Sequence, residues 1–525
     1  MLGDSMEVGA EVAAGLLNRD AYPHPVQTVK LIETHISWVL LTGRYAYKIK
    51  KPVDLEFVNF SSLALRKHFC EEEVRLNRRL APDLYLGVVA VAGSPGSPKL
   101  GGEGPAIEYA VKMRQFDHRA TLDRLLARDQ STSHELGAFA AELARFHLGL
   151  PPCPAHWQHG SPANFSRAAG LNYQQLQPLL QQPQELDKLK AIRRWSDQHL
   201  LALEPYMRER KAAGWVREGH GDLHTGNIVR IKDRLIAFDC LEFNGDFRWL
   251  DVISEVSFLG MDLAARGRED LAFWLFNRYL ETTADYRAAT LIDLYRAYYC
   301  VVRAKVAALT AAQTHAAHSE VVAQPAAADY LDLAVRLTQK PRPKLLITHG
   351  LSGSGKTWLT DRLLGRIPAI RLRADLIRKS LHGLAAEVDS HSGIESGLYT
   401  AAATQRTYDH LAQLAGELLA GKLTVIVDAA CLKAWQRKLF ATTAEEHGVA
   451  WRILDCQAPT SVLRQRIEAR RAAGKDASEA GLAVLDHQIQ TREPLIDTER
   501  QHAVTVSMAT DVDISNVVGL LQAIH

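Results

Sequence analysis

Apolar and polar positions alternate between two periods along this chain. The run from Trp38 to Lys50, broken by Thr42-Gly43-Arg44, predicts two strands about a tight turn. Lys48 and Lys50 are two apart in the second strand and so share a face. Leu63–Leu80 has helical spacing and carries Glu71, Glu72 and Glu73. The Gly/Pro/Ser-rich stretch Ala92–Pro105 predicts a loop, and Ile107–Phe116 predicts the strand after it. Apolar runs at 227–231 and 234–238, about Lys232-Asp233, predict a hairpin. The Ala-rich segment 304–328 reads as helix broken at Pro325. In the last third, Lys344–Thr348, Ala369–Leu372 and Leu423–Asp428 are short apolar runs of the kind that form buried strands.

Pro341 and Pro343 stand between the helical pattern Tyr330–Leu337 and the strand at Lys344. Proline disfavours helix for itself and for the residue before it, so a linker is expected at 336–343. It divides the 525 residues into 1–335 and 344–525, each long enough to bury a core. The expected fold class is α+β for the first unit and α/β, a parallel sheet flanked by helices, for the second.

Composition narrows the function. With 47% hydrophobic and 23% charged residues, the chain is globular rather than disordered or fibrous. The net charge of +2 is shared evenly between the halves, which argues against a basic nucleic-acid-binding arm. None of the six cysteines forms a CxxC pair, so reduced thiols and a cytoplasmic setting are expected. The first residues lack the basic stretch of a signal peptide, and no apolar run is long enough to span a bilayer, so no membrane partner is expected.

The most specific motif is Gly350-Leu-Ser352-Gly353-Ser354-Gly355-Lys356-Thr357, which matches GxxxxGK[ST]. Its glycines let backbone N–H groups turn onto phosphate oxygens. Lys356 reaches the β- and γ-phosphates, Thr357 offers a hydroxyl to Mg²⁺, and the following helix adds its dipole. Asp375, one helical turn before Arg378, is placed to deprotonate an acceptor hydroxyl while Arg378 grips an anionic group; an N-capping acid beside a surface arginine is the structural alternative. Asp428 ends an apolar strand, where a carboxylate can hold Mg²⁺ or simply cap. Arg466 and Arg470, four apart beside Arg464 and Arg471, fit a lid over the transferring phosphoryl group or a solvated basic face.

A second set of groups lies in the first half. In His220-Gly-Asp222-Leu-His224-Thr-Gly-Asn227 the spacing H-x-D-x-x-x-x-N is that of a kinase catalytic loop. Asp222 would accept the acceptor's proton and Asn227 would bind Mg²⁺. The hairpin then delivers Asp239, a second candidate for Mg²⁺. A metallo-hydrolase reading of His220, Asp222 and His224 fits Asn227 and Asp239 poorly. Upstream, Lys48 with Glu73 is the preferred ion pair for the α- and β-phosphates, and Lys50 or Glu71 could replace them. Met113 and Phe116 are candidates for an adenine slot, where core packing explains them equally well.

Together, GLSGSGKT, RADLIRKSL, VIVDAACLKAWQRKLF and the stretch from Arg466 to Leu495 resemble the AAA_33-type group of P-loop kinases, related to gluconate kinases, zeta toxins and polynucleotide kinases. YAYKIKKPVDLEFVNF, HGDLHTGNI and IAFDCLEFNGDFRWLDV resemble the aminoglycoside-phosphotransferase-like branch of the protein-kinase-like fold. That resemblance implies a small lobe at about 25–115 and a large lobe at about 116–335. The fusion resembles a bacterial two-module family. The first half departs from protein kinases in having no G-x-G-x-x-G before Lys48, Gly221 in place of an Arg, and Cys240-Leu241 after Asp239. The resemblances imply an ATP- and Mg²⁺-dependent phosphotransferase with two nucleotide sites and hydroxylated small-molecule acceptors. Two other readings stay open: a nucleic-acid or nucleotide 5′-hydroxyl kinase in the second half, and one half acting as a nucleotide sensor for the other.

Overall fold

A computed structural model describes residues 2–55, 58–313, 325–384, 397–473, 481–509 and 511–523. The chain begins with helix α1 (Leu2–Gly15), which packs on a six-stranded antiparallel sheet. The strands are β1 (Lys30–Glu33), β2 (Ser37–Leu41), β3 (Tyr45–Lys50), β4 (Tyr85–Ser94), β5 (Ser97–Leu100) and β6 (Glu108–Arg114), in spatial order β1-β2-β3-β6-β4-β5. Helix α2 (Leu63–Asn77), capped by the Ser62 hydroxyl, lies against β4 and β6 and carries Glu73 to the sheet. β4 and β5 correct the reading of Ala92–Pro105 as a loop: they pair from Val91 with Leu100 to Ser94 with Ser97. Pro98 is tolerated because β5 is the sheet edge, where a missing N–H leaves no ladder bond unmade.

The following part is mainly helical. Its relevant elements are α3 (Ser133–Gly149), the hairpin β7 (Ile228–Ile231) and β8 (Arg234–Ala237), α4 (Val252–Ala265), α5 (Glu269–Thr283), α6 (Ile292–Gln313) and α7 (Ala327–Thr338). The hairpin turns through Lys232 and Asp233, both with positive φ, as a two-residue turn between right-twisted strands requires. A small sheet above a helical body, with a hairpin at their junction, is the two-lobed architecture of the protein-kinase-like fold. The break near Pro325 partly lies outside the described residues; α6 ends at Gln313 and α7 begins at Ala327.

After α7, strand β9 (Lys344–His349) opens a five-stranded, wholly parallel sheet. The others are β10 (Ala369–Arg373), β11 (Thr424–Asp428), β12 (Ala450–Gln457) and β13 (Ala503–Ser507), in order β10-β11-β9-β12-β13. Helices α8 (Lys356–Leu364), α9 (Ala401–Ala420) and α10 (Thr460–Ala473) are among those covering it. Leu345, Leu346, Ile347, Val425, Ile426 and Val427 are fully buried, which explains why these strands read as continuous apolar runs. The largest core is continuous between the two parts, joining α5 side chains to those of β9, β10 and β11. Among the described residues, no helix is long and apolar enough to cross a membrane.

Candidate active sites

In the first site, β3 and α2 bring three charges together. Lys48 Nζ lies 2.9 Å from Glu73 Oε1 and 2.5 Å from Asp239 Oδ1. Burial works against the Lys48 charge, but Asp239 and Glu73 hold its pKa well above the ordinary value. Lys50 shares the face, as the alternation requires, but is 1% exposed and pairs with Glu73 Oε2 at 2.7 Å and with Glu242. Glu73 therefore bridges a fully buried lysine and a less buried one. Glu71 points away, 3.8 Å from Lys67 on the exposed side of α2.

The loop carrying Asp222 is held from below. Glu255 Oε1, on α4, accepts from the backbone N–H groups of His220 (2.6 Å) and Gly221 (2.7 Å), and Glu255 Oε2 is 2.7 Å from His147 Nε2 of α3. Gly221 turns with φ +86, and a Cβ there would lie 3.1 Å from the Phe247 carbonyl. The buried His220 ring bonds the Phe238 carbonyl through Nε2 at 2.8 Å. Asp222 Oδ2 accepts from Asn227 Nδ2 at 3.0 Å and lies 3.6 Å from His224 Nε2. Burial pushes the Asp222 carboxyl up, but the His224 and His220 rings and Arg303 together keep the group below its ordinary value. The Asn227 carbonyl accepts the Phe238 N–H at 2.9 Å, so the hairpin sets Asn227 beside the residue preceding Asp239. Asp239 has φ +63, a conformation costly for a non-glycine residue, and its N–H donates to the Tyr85 hydroxyl at 3.0 Å. Met113 and Phe116 belong to the apolar cluster between the lobes, with Ala46 from the sheet and Val229 and Phe238 from the hairpin.

The second site starts where β9 meets α8. Gly350, Gly353 and Gly355 have φ of +148, +80 and +87. A Cβ on Gly350 would lie 2.6 Å from the Cys456 carbonyl, and one on Gly353 2.9 Å from that of Leu463. The loop is thus clamped between β12 and α10. Lys356 Nζ donates to the carbonyls of Gly350 and Leu351, both at 2.9 Å, and burial lowers its pKa. The Ser352 N–H donates to Gln488 Oε1 at 2.8 Å, while the buried Ser354 Oγ has no hydrogen-bond partner among the described residues. Asp428 closes β11, and its Oδ2 accepts from Thr360 Oγ1 at 3.1 Å. Asp375 Oδ1 stands 3.9 Å from Arg378 Nη1, and the Arg378 guanidinium lies 4.7 Å from the Tyr399 ring centre. Arg466 donates through Nη2 to the Met508 carbonyl at 2.7 Å. Ser352, Gly353, Gly355, Lys356, Thr357, Asp375, Arg378, Asp428, Arg466 and Arg470 all line one cavity of about 480 Å³.

Both donor sets fit Mg²⁺, which favours oxygen ligands and keeps waters. Asn227 and Asp239 in the first site, and Thr357 and Asp428 in the second, offer only oxygen atoms for it. Among the described residues, no group of three or more His, Cys, Asp and Glu forms a metal cluster. Sequence reasoning missed Glu242, Glu255, His147 and Thr360; each lies far along the chain from the group it supports, and no motif spacing marks it.

Comparison with known proteins adds family membership. An AAA domain family model matches residues 345–495. Among solved structures, the APS kinase CysC of Mycobacterium tuberculosis, in complex with AMPPNP and APS, is 21% identical and covers 35% of this chain and 100% of its own, with a TM-score of 0.27. A choline/ethanolamine kinase family protein from Mesorhizobium loti is 12% identical and covers 65% of this chain and 96% of its own, with a TM-score of 0.37. Uncharacterized protein Rv2004c of Mycobacterium tuberculosis (strain H37Rv) and Uncharacterized protein Mb2027c of Mycobacterium bovis are each 30% identical over 462 residues, covering 87% of this chain and 89% of theirs. With that identity over 87% of its length, the chain belongs to the same family as these mycobacterial proteins.

Proposed function

We propose that the protein is an ATP- and Mg²⁺-dependent phosphotransferase with two nucleotide sites, in units 1–335 and 344–525, acting on hydroxylated small molecules. The observation that carries this reading is the 480 Å³ cavity, where a glycine phosphate cradle, Lys356, a strand-end carboxylate and an acid–arginine pair converge. In the second site, the N–H groups of the 350–355 loop and Lys356 bind the phosphates. The β–γ bridge oxygen gains negative charge as its bond to phosphorus breaks, and Lys356 stabilises it. Asp375 takes the proton of the acceptor hydroxyl, whose oxygen forms the new bond to phosphorus; ADP leaves with the electron pair. Arg466 and Arg470 close over the transferred group and exclude water. Mg²⁺, when bound, neutralises phosphate charge and draws the oxygens into line. In the first site, Lys48 held by Glu73 grips the α- and β-phosphates, Asp222 is the base, and Asn227 and Asp239 hold the cation.

The test is transfer of labelled γ-phosphate from ATP to a metabolite extract by the full chain. Lys356→Ala is expected to abolish one labelled product and Asp222→Asn to reduce the other. Retention of both products in the double variant refutes the reading. A labelled oligonucleotide in the same assay, as the sole product formed, would refute small-molecule acceptors for the second site.

A further inference from the structure

The edge of the parallel sheet is covered by a helix from the other half of the protein. β10 is the outermost strand, and α5 packs along it. Asn277 of α5, 1% exposed, stands in for a neighbouring strand. Its Nδ2 donates to the Ala369 carbonyl at 2.9 Å, and its Oδ1 accepts the Arg371 N–H at 2.6 Å. Two backbone groups of the edge strand are thereby satisfied without a sixth strand.

One turn further along α5, Glu281 meets the Arg371 side chain, which is fully buried. Glu281 Oε1 accepts from Arg371 Nε at 3.0 Å and from Nη2 at 2.6 Å. The remaining terminal nitrogen turns toward the P-loop helix: Nη1 donates to Thr360 Oγ1 at 3.0 Å and to Asp361 Oδ1 at 2.7 Å. Thr360, itself fully buried, donates to Asp428 Oδ2 at 3.1 Å. Because Arg371 supplies a proton to the Thr360 oxygen, the threonine's own proton is left for an acceptor, and Asp428 is one of two within reach, with the Thr357 carbonyl at 3.1 Å the other. Three successive links, Glu281 to Arg371, Arg371 to Thr360 and Thr360 to Asp428, thus run from a helix of the N-terminal half to the carboxylate that ends β11.

We infer that Glu281 and Arg371 are positioning residues for Asp428, so that α5 completes a P-loop site whose cradle lies entirely in the C-terminal half. The inference rests on the nucleotide-site reading above. Arg371 fixes the Thr360 hydroxyl, the hydroxyl fixes one carboxylate oxygen, and the other oxygen is the one that would hold a cation. Glu281 balances the buried guanidinium and holds its plane. An interface that served only to bury surface would need the Asn277 clamp but no charged path to the site. α5 also packs on α4, which carries Glu255 and Asp262 beneath the first site's loop, so one helical hairpin supports both sites.

The experiment uses the full chain with Asp239→Ala to silence the first site's metal. Binding of ADP is measured by calorimetry in EDTA and in excess Mg²⁺, and the binding attributed to the P-loop is that removed by Lys356→Ala. Glu281→Ala and Arg371→Lys are expected to cut the affinity gained from Mg²⁺ by about tenfold while leaving metal-free affinity unchanged, since partners of metal ligands commonly act at this scale. Glu281→Gln, which keeps a hydrogen bond but loses the charge, is expected to show a smaller cut. Asn277→Ala should lower the unfolding temperature and leave the Mg²⁺ gain intact. A wild-type Mg²⁺ gain in folded Glu281→Ala overturns the inference; if that variant fails to fold, the same result in Glu281→Gln overturns it. If the parent shows no binding that Lys356→Ala removes, the nucleotide-site reading falls first and this inference with it.

Discussion

Replacing Lys50 by methionine tests whether the two lysines of β3 have different duties. The side chains are nearly the same length, so the main change is loss of one positive charge between Glu73 and Glu242. All three are buried, at 1%, 0% and 4% exposure. Removing one partner of a buried ion pair costs about 3–5 kcal/mol, because the other charge is left uncompensated. Glu73 keeps Lys48 at 2.9 Å, so the loss falls on Glu242. Burial already pushes the Glu242 carboxyl up, and without Lys50 it would take a proton, which places the cost near the lower end of that range. About 3 kcal/mol corresponds to a fall of roughly 4 °C in the transition that unfolds the N-terminal half, since the shift per kcal/mol shrinks as the unfolding unit grows. A carboxyl whose folded pKa is raised adds stability that is complete below its unfolded pKa and is lost as pH rises through the folded one. The deficit of Lys50→Met should therefore be smaller at pH 5 than at pH 8. Lys48→Met is expected to do the reverse: a smaller thermal shift, because Glu73 retains Lys50 and Asp239 is part-exposed, but loss of nucleotide binding at the first site. Scanning calorimetry of the full chain at the two pH values, with nucleotide titrations alongside, measures both. A Lys50→Met transition within about 2 °C of wild type at pH 8, or a larger deficit at pH 5, would refute the assignment of Lys50 as the structural lysine.

Two further outcomes follow from the first site. Asp262 accepts from the Thr225 N–H at 3.0 Å and from its hydroxyl at 2.5 Å; burial raises its pKa, but Arg266, His224 and Arg303 together bring it down to about 2. Its stabilisation, about 2 kcal/mol, is complete above the ordinary aspartate pKa and is lost as pH falls through about 4 toward 2, so Asp262→Asn should flatten the acid limb of a stability–pH curve. An unchanged acid limb would show that the group is not held ionised by these partners. Asp222→Asn should reduce turnover with ATP affinity largely kept, whereas Asp239→Asn should raise the Mg²⁺ requirement and weaken nucleotide binding. Equal losses of affinity in both, by calorimetric titration, would contradict the separate roles.

Features written in adjacent residues were legible without the structure. The glycine turn at 350–355 is one, since its glycines take positive φ in one short loop between β9 and α8. The 227–238 hairpin is another, since a two-residue polar turn between apolar runs sets its own register. The pairing of Lys48 with Glu73 rather than Glu71 was open in the sequence and was decided by the face of α2 that meets the sheet. The 92–105 segment was misread because Gly, Pro and Ser mark loops in general, and only its place at a sheet edge makes Pro98 acceptable in a strand.

What the sequence determined by itself, then, is local: the strands, turns and helices on which two sets of candidate residues stand. The tertiary structure alone decided which charges share a partner. Lys50 finds Glu242 across 192 positions, and Glu281 finds Arg371 across 90. No periodicity reports such pairings, because a buried charge is tolerated only where distant elements bring its counter-charge into hydrogen-bond reach, and that is a property of packing rather than of neighbouring residues.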